Sequence, residues 1–211
     1  KTEALAEKGG CRACSTLEKL MKDRPDYVAE AASVKAVQDY GMKILSEGAD
    51  LVLLSIGALA DETFYREISE CARIKGRKIH IASGAIGGFD VLRTISLMGQ
   101  TQTSFRTKKG PKALLGTPLF EESLLTTTEE KQVFHGNAKE AISILPTKVN
   151  VAIAASLASS DPENVDMSIF SVPQMVGDDH KITAQIPGVK AKLDIYSSKC
   201  YCRLEHCGCA A

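Results

Sequence analysis

Three short turns of small residues are the first places in this chain where a ligand could be held: Ala31-Ala32-Ser33, Ser55-Ile56-Gly57 and Ser83-Gly84-Ala85. Each follows a short apolar run. Small side chains leave backbone N–H groups bare, and in an open α/β sheet ligands bind beyond the carboxyl ends of the strands. The third turn continues through Ile86 into Gly87-Gly88, and glycine is needed where backbone must approach a ligand closely or adopt a positive φ. A Gly-rich strand-to-helix turn with no ligand would read the same way. A basic stretch, Arg106, Lys108, Lys109 and Lys112, offers cations. Its plain reading is a solvated loop; its chemical reading is a clamp for a substrate carboxylate, which the Arg fork suits, with Arg106 and Lys108 as the candidates. Of the four histidines, His80 falls in a strand pattern and reads as structural. His135 ends a strand and is assigned no role, and His206 lies in a cysteine-rich tail. His180 follows Gly177-Asp178-Asp179 and precedes a strand; on its neighbours alone it reads as surface.

These residues need a scaffold, and the patterning supplies one. Tyr27–Ala31, Leu51–Ser55 and Lys78–Ala82 read as strands, each closed by one of the three turns. The run Leu51-Val52-Leu53-Leu54 is continuously apolar, as in a parallel strand buried on both faces. Helical spacing links them, with Val34, Val37, Tyr40, Ile44 and Leu45 in one register and Gly48 as its stop, then Asp61 as cap of a helix that runs to Lys75 before Gly76. Ser15-Thr16-Leu17-Glu18 has the form of a capping box. The repeated strand, small turn and helix put three turns along one crevice, the geometry of a nucleotide site. Beyond Asp90 the pattern changes. Val91–Met98 is helical, and Thr101–Thr107, Gln132–Gly136, Val165–Val172, Lys181–Ile186 and Lys190–Tyr196 read as strands of a mostly antiparallel sheet. Asn137–Leu145 reads as a helix with an Asn cap. A small-residue helix starts near Asn150, which on residues alone is its cap.

The expected fold class is therefore α/β, a partial Rossmann domain with a parallel doubly wound sheet, followed by an α+β domain. The domains are placed at residues 1–88 and 89–198, with a tail at 199–211. Lys plus Arg and Asp plus Glu both number 26, so the net charge is zero. That excludes a broad nucleic-acid or membrane-surface footprint. No apolar run approaches the roughly 18 residues of a spanning helix, and no secretory pattern opens the chain, so a cytoplasmic location is expected. The seven cysteines then do not read as a disulfide framework.

Ser83-Gly84-Ala85-Ile86-Gly87-Gly88-Phe89-Asp90 resembles the central motif of the L-aspartate dehydrogenase family, and the likeness spans about residues 11–196. The family consists of NAD(P)-dependent amino-acid dehydrogenases with a Rossmann domain and a second α/β domain. The resemblance implies that Ala32, Ser33, Ser55, Ile56, Gly84, Ala85 and Ile86 contact NAD or NADP. Pro146-Thr147-Lys148-Val149-Asn150-Val151-Ala152 is similar to the family's phrase ending in Asn-Val-Ala, which implies that Asn150 meets the nicotinamide end. The family has an Arg-Lys stretch where Arg106 and Lys108 stand. Its catalytic histidine sits in an Asn-x-His element; Asp178-Asp179-His180 is similar, with Asp for Asn, so His180 is the implied general base, with its pKa expected to be raised by the two aspartates. The implied reaction oxidises L-aspartate to iminoaspartate, then oxaloacetate and ammonia, in a homodimer linked to pyridine nucleotide biosynthesis.

Two features depart from the family. No G-x-G-x-x-G lies in residues 1–30; the family carries it ahead of the similar region, which implies a chain that starts inside its dinucleotide domain. Lys199–Ala211 holds two C-x-C pairs and a histidine in a spacing that fits no familiar zinc site, so no metal is expected. Dropping one base from the possible codons after Lys199 permits Ala-Ile-Ala-Ala-Trp-Ser-Ile-Val-Ala-Val-Leu, similar to the family's apolar C-terminal helix, and the tail is read as a frame-shifted one. Two other readings stay open: a related Rossmann oxidoreductase of another substrate, such as a homoserine dehydrogenase relative, and a non-catalytic binding protein.

Overall fold

A computed structural model describes residues 2–82, 86–146 and 148–197. The candidates Gly84 and Ala85, and the cysteine-rich tail with His206, lie outside the described residues. The chain divides into two compact units, one built from residues 1–58 and 62–82, the other from residues 59–61 and 83–200.

The first unit opens with a helix that the sequence pattern did not announce, α1 (Thr2–Gly9), which buries only Ala6. A short helix follows, α2 (Leu17–Met21), capped by Thr16, whose side chain accepts from the Lys19 N–H; the cap sits one residue later than the capping box placed it. Three strands, β1 (Tyr27–Glu30), β2 (Asp50–Leu53) and β3 (Ile79–Ile81), pair in parallel in the order β1-β2-β3. Helices α3 (Val34–Ser46) and α4 (Glu62–Lys75) connect them. They pack together through Val37, Ile44 and Leu45 on α3 and Ile68 and Ala72 on α4, all buried, while Leu51 and Leu53 of the central strand are fully covered. The parallel strands all end at the same side of the sheet, which puts the turns after β1 and β2 side by side.

In the second unit a five-stranded sheet has the order β5-β6-β4-β7-β8. Its strands are β4 (Gln102–Lys109), β5 (Lys131–Asn137), β6 (Val165–Ser171), β7 (Asp178–Ile186) and β8 (Val189–Ser197). The central β4 pairs in parallel with β6 and antiparallel with β7; the other pairings are antiparallel. Helices α5 (Phe89–Met98), α6 (Ala138–Ile144) and α7 (Asn150–Ser159) contact the sheet. Alternation along β4 decides which residues those helices cover: Thr103, Phe105, Thr107 and Lys109 are buried, and the residues between them are not. Met167 and Ile169 of β6 and Ile182 and Ala184 of β7 complete the apolar part of this inner face. The expected Asn137–Glu140 capping box is formed at α6, with Glu140 N–H donating to Asn137 Oδ1 at 2.8 Å and Asn137 N–H donating to Glu140 Oε2 at 2.9 Å.

The Gly-rich turn reaches α5 through Gly88, whose φ is 77°. A Cβ there would lie 2.7 Å from Leu193 Cδ1 on β8. Gly88 is thus required by a left-handed turn and by the packing of α5 on the sheet, a demand of the core rather than of a ligand.

Candidate active site

In the first unit the turns after β1 and β2 are tied together by one buried carboxylate. Glu30 ends β1 and is only 8% exposed. Its Oε1 accepts from the Ala32 N–H at 2.7 Å, the Ser33 N–H at 2.9 Å and the Ser55 hydroxyl at 3.0 Å, and its Oε2 accepts from the Ser55 N–H at 3.0 Å. A charged acceptor with four donors is well satisfied despite burial. Ala32 and Ser33 are exposed beyond it, and Ser33 Oγ caps α3 by accepting from the Ala36 N–H. Ile56 is buried, so that position offers backbone only. Sequence reasoning picked Ala32, Ser33 and Ser55 and passed over Glu30, the residue that fixes them. The signal was present, since an acidic residue closing an apolar strand must find donors.

The second unit holds a polar end on an otherwise apolar inner face. Lys109 of β4 stands opposite Asp178 of β7 and Ser171 of β6, and Thr107 stands opposite His180 and Ile169. Lys109 Nζ is 2.6 Å from Asp178 Oδ1, with the lysine side chain 7% exposed and the aspartate 38%. His180 is 5% exposed, and its ring lies tilted against Phe105 with centroids 5.6 Å apart. Thr107 Oγ1, Ser171 Oγ and His180 Nδ1 are buried with no hydrogen-bond partner. Three such atoms at adjacent positions are unusual, because buried polar groups are nearly always paired.

The expectation that the aspartates raise the His180 pKa does not hold. Burial is the largest influence and lowers it, the Lys109 ammonium lowers it further, and Asp178 and Asp179 offset only part, leaving it at about 4. Asp178 is already paired with Lys109, and Asp179 points to the other face of β7. The ring is therefore neutral at physiological pH. The strand β7 also begins at Asp178 rather than Lys181, which places His180 inside the sheet.

Arg106 and Lys108 are not brought together with His180. They lie on the outer face of β4, where Glu130 accepts from Arg106 at 2.6 Å and from Lys108 at 2.5 Å, and Arg106 stacks over Phe170 at 4.2 Å. The basic stretch is strand as far as Lys109, not loop, and strand parity sends Lys109 alone among the three cations inward. Asn150 is the first residue of α7. The cap position is taken by Val149, without a side-chain cap bond. Lys148 Nζ donates to Ala113 O in the segment that follows β4, which holds the start of α7 at the same end of the sheet as Lys109. Ile86 is buried. His80 is bonded to Asp50 Oδ2 at 2.9 Å and is partly exposed, and His135 to Asp166 Oδ1 at 2.8 Å. Among the described residues no group of His, Cys, Asp and Glu is placed to hold a metal ion, and no helix is long and apolar enough to cross a membrane.

Comparison with known proteins gives this arrangement its context. Residues 90–201 match the family described as aspartate dehydrogenase, C-terminal, and residues 1–82 match the homoserine dehydrogenase NAD-binding domain. An L-aspartate dehydrogenase of Methanococcus maripaludis is 39% identical over 184 residues, covering 86% of this chain and 68% of the relative. The chain belongs to the aspartate dehydrogenase family. A second aspartate dehydrogenase relative, from Methanocaldococcus jannaschii, is 35% identical over 169 residues, 78% of this chain and 62% of its own length. The crystal structure of Thermotoga maritima aspartate dehydrogenase superposes with a TM-score of 0.70 at 27% identity, covering 81% of this chain and 68% of that one.

For this aspartate dehydrogenase family member the cofactor is NAD or NADP, through the NAD-binding domain of residues 1–82. The turns held by Glu30 fit part of such a molecule. Their small residues and fixed backbone can lie close to a flat ligand, while the Glu30 carboxylate beneath them disfavours phosphate and suits hydroxyl and amide groups.

Proposed function

We propose that the chain carries the NAD(P)-dependent oxidation of L-aspartate to iminoaspartate, which water converts to oxaloacetate and ammonia. The observation that carries the reading is the buried, neutral His180 beside the Lys109 ammonium. A dinucleotide held in the first unit would supply the acceptor for the hydride of the substrate Cα. The residues of this chain handle the rest. His180 takes a proton from the substrate ammonium, so that the nitrogen lone pair can form the C=N bond as the hydride leaves. A neutral imidazole is required for this, and burial together with Lys109 keeps it neutral. Phe105, packed against the ring, limits its rotation and helps exclude water. Ala32, Ser33, Ser55 and Ile56 would hold the cofactor in the first unit, with Gly84, Ala85, Ile86 and Asn150 assigned to the same task by their family motif.

The homodimer and the supply of iminoaspartate to pyridine nucleotide synthesis are proposed on the family resemblance, and the cytoplasmic location on the sequence patterning. The test is the absorbance of reduced nicotinamide formed on addition of L-aspartate, with NAD and NADP compared, for the wild type and His180→Ala. Aspartate-dependent reduction that falls at least about a hundredfold in the variant supports the reading. Near-normal turnover in His180→Ala removes the base from it, and reduction driven equally by homoserine removes the substrate.

A further inference from the structure

The polar end of the inner face holds more unpaired groups than a proton acceptor needs. Lys109 is almost wholly buried, and its ionic partner among the described residues is Asp178, whose side chain remains more than one-third exposed. Ser171 Oγ and Thr107 Oγ1 are fully buried without a partner. Ser171 stands directly across from Lys109, and Thr107 is two residues before it on the same face. By strand geometry these positions lie within about 5–7 Å of one another. A lysine and two unpaired hydroxyls on one face of neighbouring strands are a donor set, and a donor set asks for an anion.

Two further observations point the same way. Next to this end of the sheet lies a cleft of about 620 Å³, lined by Pro111 and Lys112 after β4, by residues 124–128 and by residues 173–176 between β6 and β7; Lys109, Ser171 and Asp178 are not in its lining but each stands two residues along the chain from it. Gln174 has a φ of 60° there, and Gly110 leaves no room for a Cβ against Met175 O, so the segments after β4 and β6 pack closely. The start of α7 is held at this end by the Lys148 bond to Ala113 O, and its first turn contains no acidic residue. The partial positive charge of a helix N-terminus is thus left for something else to neutralise.

We infer that Lys109, Thr107 and Ser171 form the subsite for the side-chain carboxylate of a dicarboxylate substrate, and that Asp178 occupies this subsite as a built-in stand-in which the substrate displaces. The inference rests on the reading of the second unit as the substrate-binding one and names the residues that select an acidic side chain. Displacement costs one ion pair and forms another, so the subsite discriminates by count of carboxylates: a monocarboxylate has no group to set against Lys109 once its first carboxylate is bound elsewhere. Asp178, released, turns toward solvent, where its exposure already lies.

The experiment uses the full chain and succinate, a dicarboxylate without an amine, so that binding is read apart from oxidation. Binding is measured by calorimetry for the wild type, Lys109→Met, Lys109→Arg, Asp178→Asn and Thr107→Val, with butyrate as the monocarboxylate control and thermal melting to verify the fold. The expected result is succinate bound at least tenfold more tightly than butyrate, a loss of tenfold or more in Lys109→Met, partial rescue in Lys109→Arg, and a gain of several-fold in Asp178→Asn. Succinate binding by Lys109→Met that equals the wild type, in a protein that melts cooperatively, overturns the subsite. A loss in Asp178→Asn equal to that in Lys109→Met overturns the stand-in role. If Lys109→Met does not fold, Asp178→Asn and Thr107→Val decide alone, the first by tightening and the second by weakening succinate binding. Lys109-dependent succinate binding without aspartate turnover leaves the subsite standing and removes the dehydrogenase reading; aspartate turnover with an unchanged KM in Lys109→Met does the reverse.

Discussion

Thr107 and His180 face each other across β4 and β7, and neither Thr107 Oγ1 nor His180 Nδ1 has a hydrogen-bond partner. Two neighbouring polar atoms that ignore one another in a dry interior are held for a third party. The cost of leaving a buried group unsatisfied is about 1–3 kcal/mol, so removing the need should stabilise the fold. Thr107→Val is expected to raise the melting temperature while it weakens substrate binding, and thermal unfolding beside succinate calorimetry measures both.

Stability should fall in a defined acid window because of His180. Its folded-state pKa of about 4 lies below the ordinary value of 6.5. Between those values the unfolded chain binds a proton that the folded chain refuses, so this contribution to stability is lost progressively as pH falls from 6.5 and levels off below about 4. His180→Asn removes that slope. Denaturant unfolding across the range should show the wild type losing stability relative to the variant as pH falls from 6.5 to about 4; parallel curves would mean that His180 titrates normally.

Turnover should carry the same group with a similar pKa. In the free enzyme burial and Lys109 depress His180 while Asp178 offsets part of this, and a substrate carboxylate that replaces Asp178 at Lys109 leaves that balance nearly unchanged. The acid limbs of kcat and of kcat/KM are therefore expected to coincide. A kcat limb at clearly higher pH would show that the substrate adds negative charge there rather than exchanging it.

Glu30 should matter to stability before it matters to the cofactor. Glu30→Ala leaves three backbone N–H groups and one hydroxyl without their acceptor, an expected loss of about 2–4 kcal/mol by urea unfolding. Glu30→Gln keeps one oxygen for part of this set and should lose about half as much.

The outer face offers a control. Arg106 and Lys108 share Glu130 and turn away from His180. Arg106→Ala and Lys108→Ala are expected to leave the KM for L-aspartate within about twofold, since exposed pairs contribute about 0–1 kcal/mol. A tenfold rise in KM for either would return them to the substrate site.

Much of this was legible in the residues. The three parallel strands, the helix stops at Gly48 and Gly76 and the Asn137–Glu140 box follow from local chemistry, and the structure places them within a residue or two. The Asp-Asp-His element led to His180, but not to its environment. Its burial depends on β4, whose Phe105 packs on the ring and which is not near in sequence. Lys109 was lost for a different reason. Four cations within seven residues look like a solvated loop, and only the knowledge that β4 extends to Lys109 separates the inward lysine from its outward neighbours. Glu30 was hidden by the habit of looking for small residues around a ligand rather than for what holds them still.

The pairing of β4 with β6 and β7 has a consequence for biosynthesis. β4 is the central strand, yet both of its neighbours are encoded far downstream. As the chain leaves the ribosome, Lys109 and Thr107 emerge with neither Ser171 nor His180 to face them, and a strand carrying a buried-to-be lysine must wait unpaired. Contacts of such long sequence separation close slowly. The chemistry of the second unit is thus among the last things the nascent chain acquires, and translation that stops before β7 leaves the sheet's centre open, with the row from Lys109 to His180 never assembled.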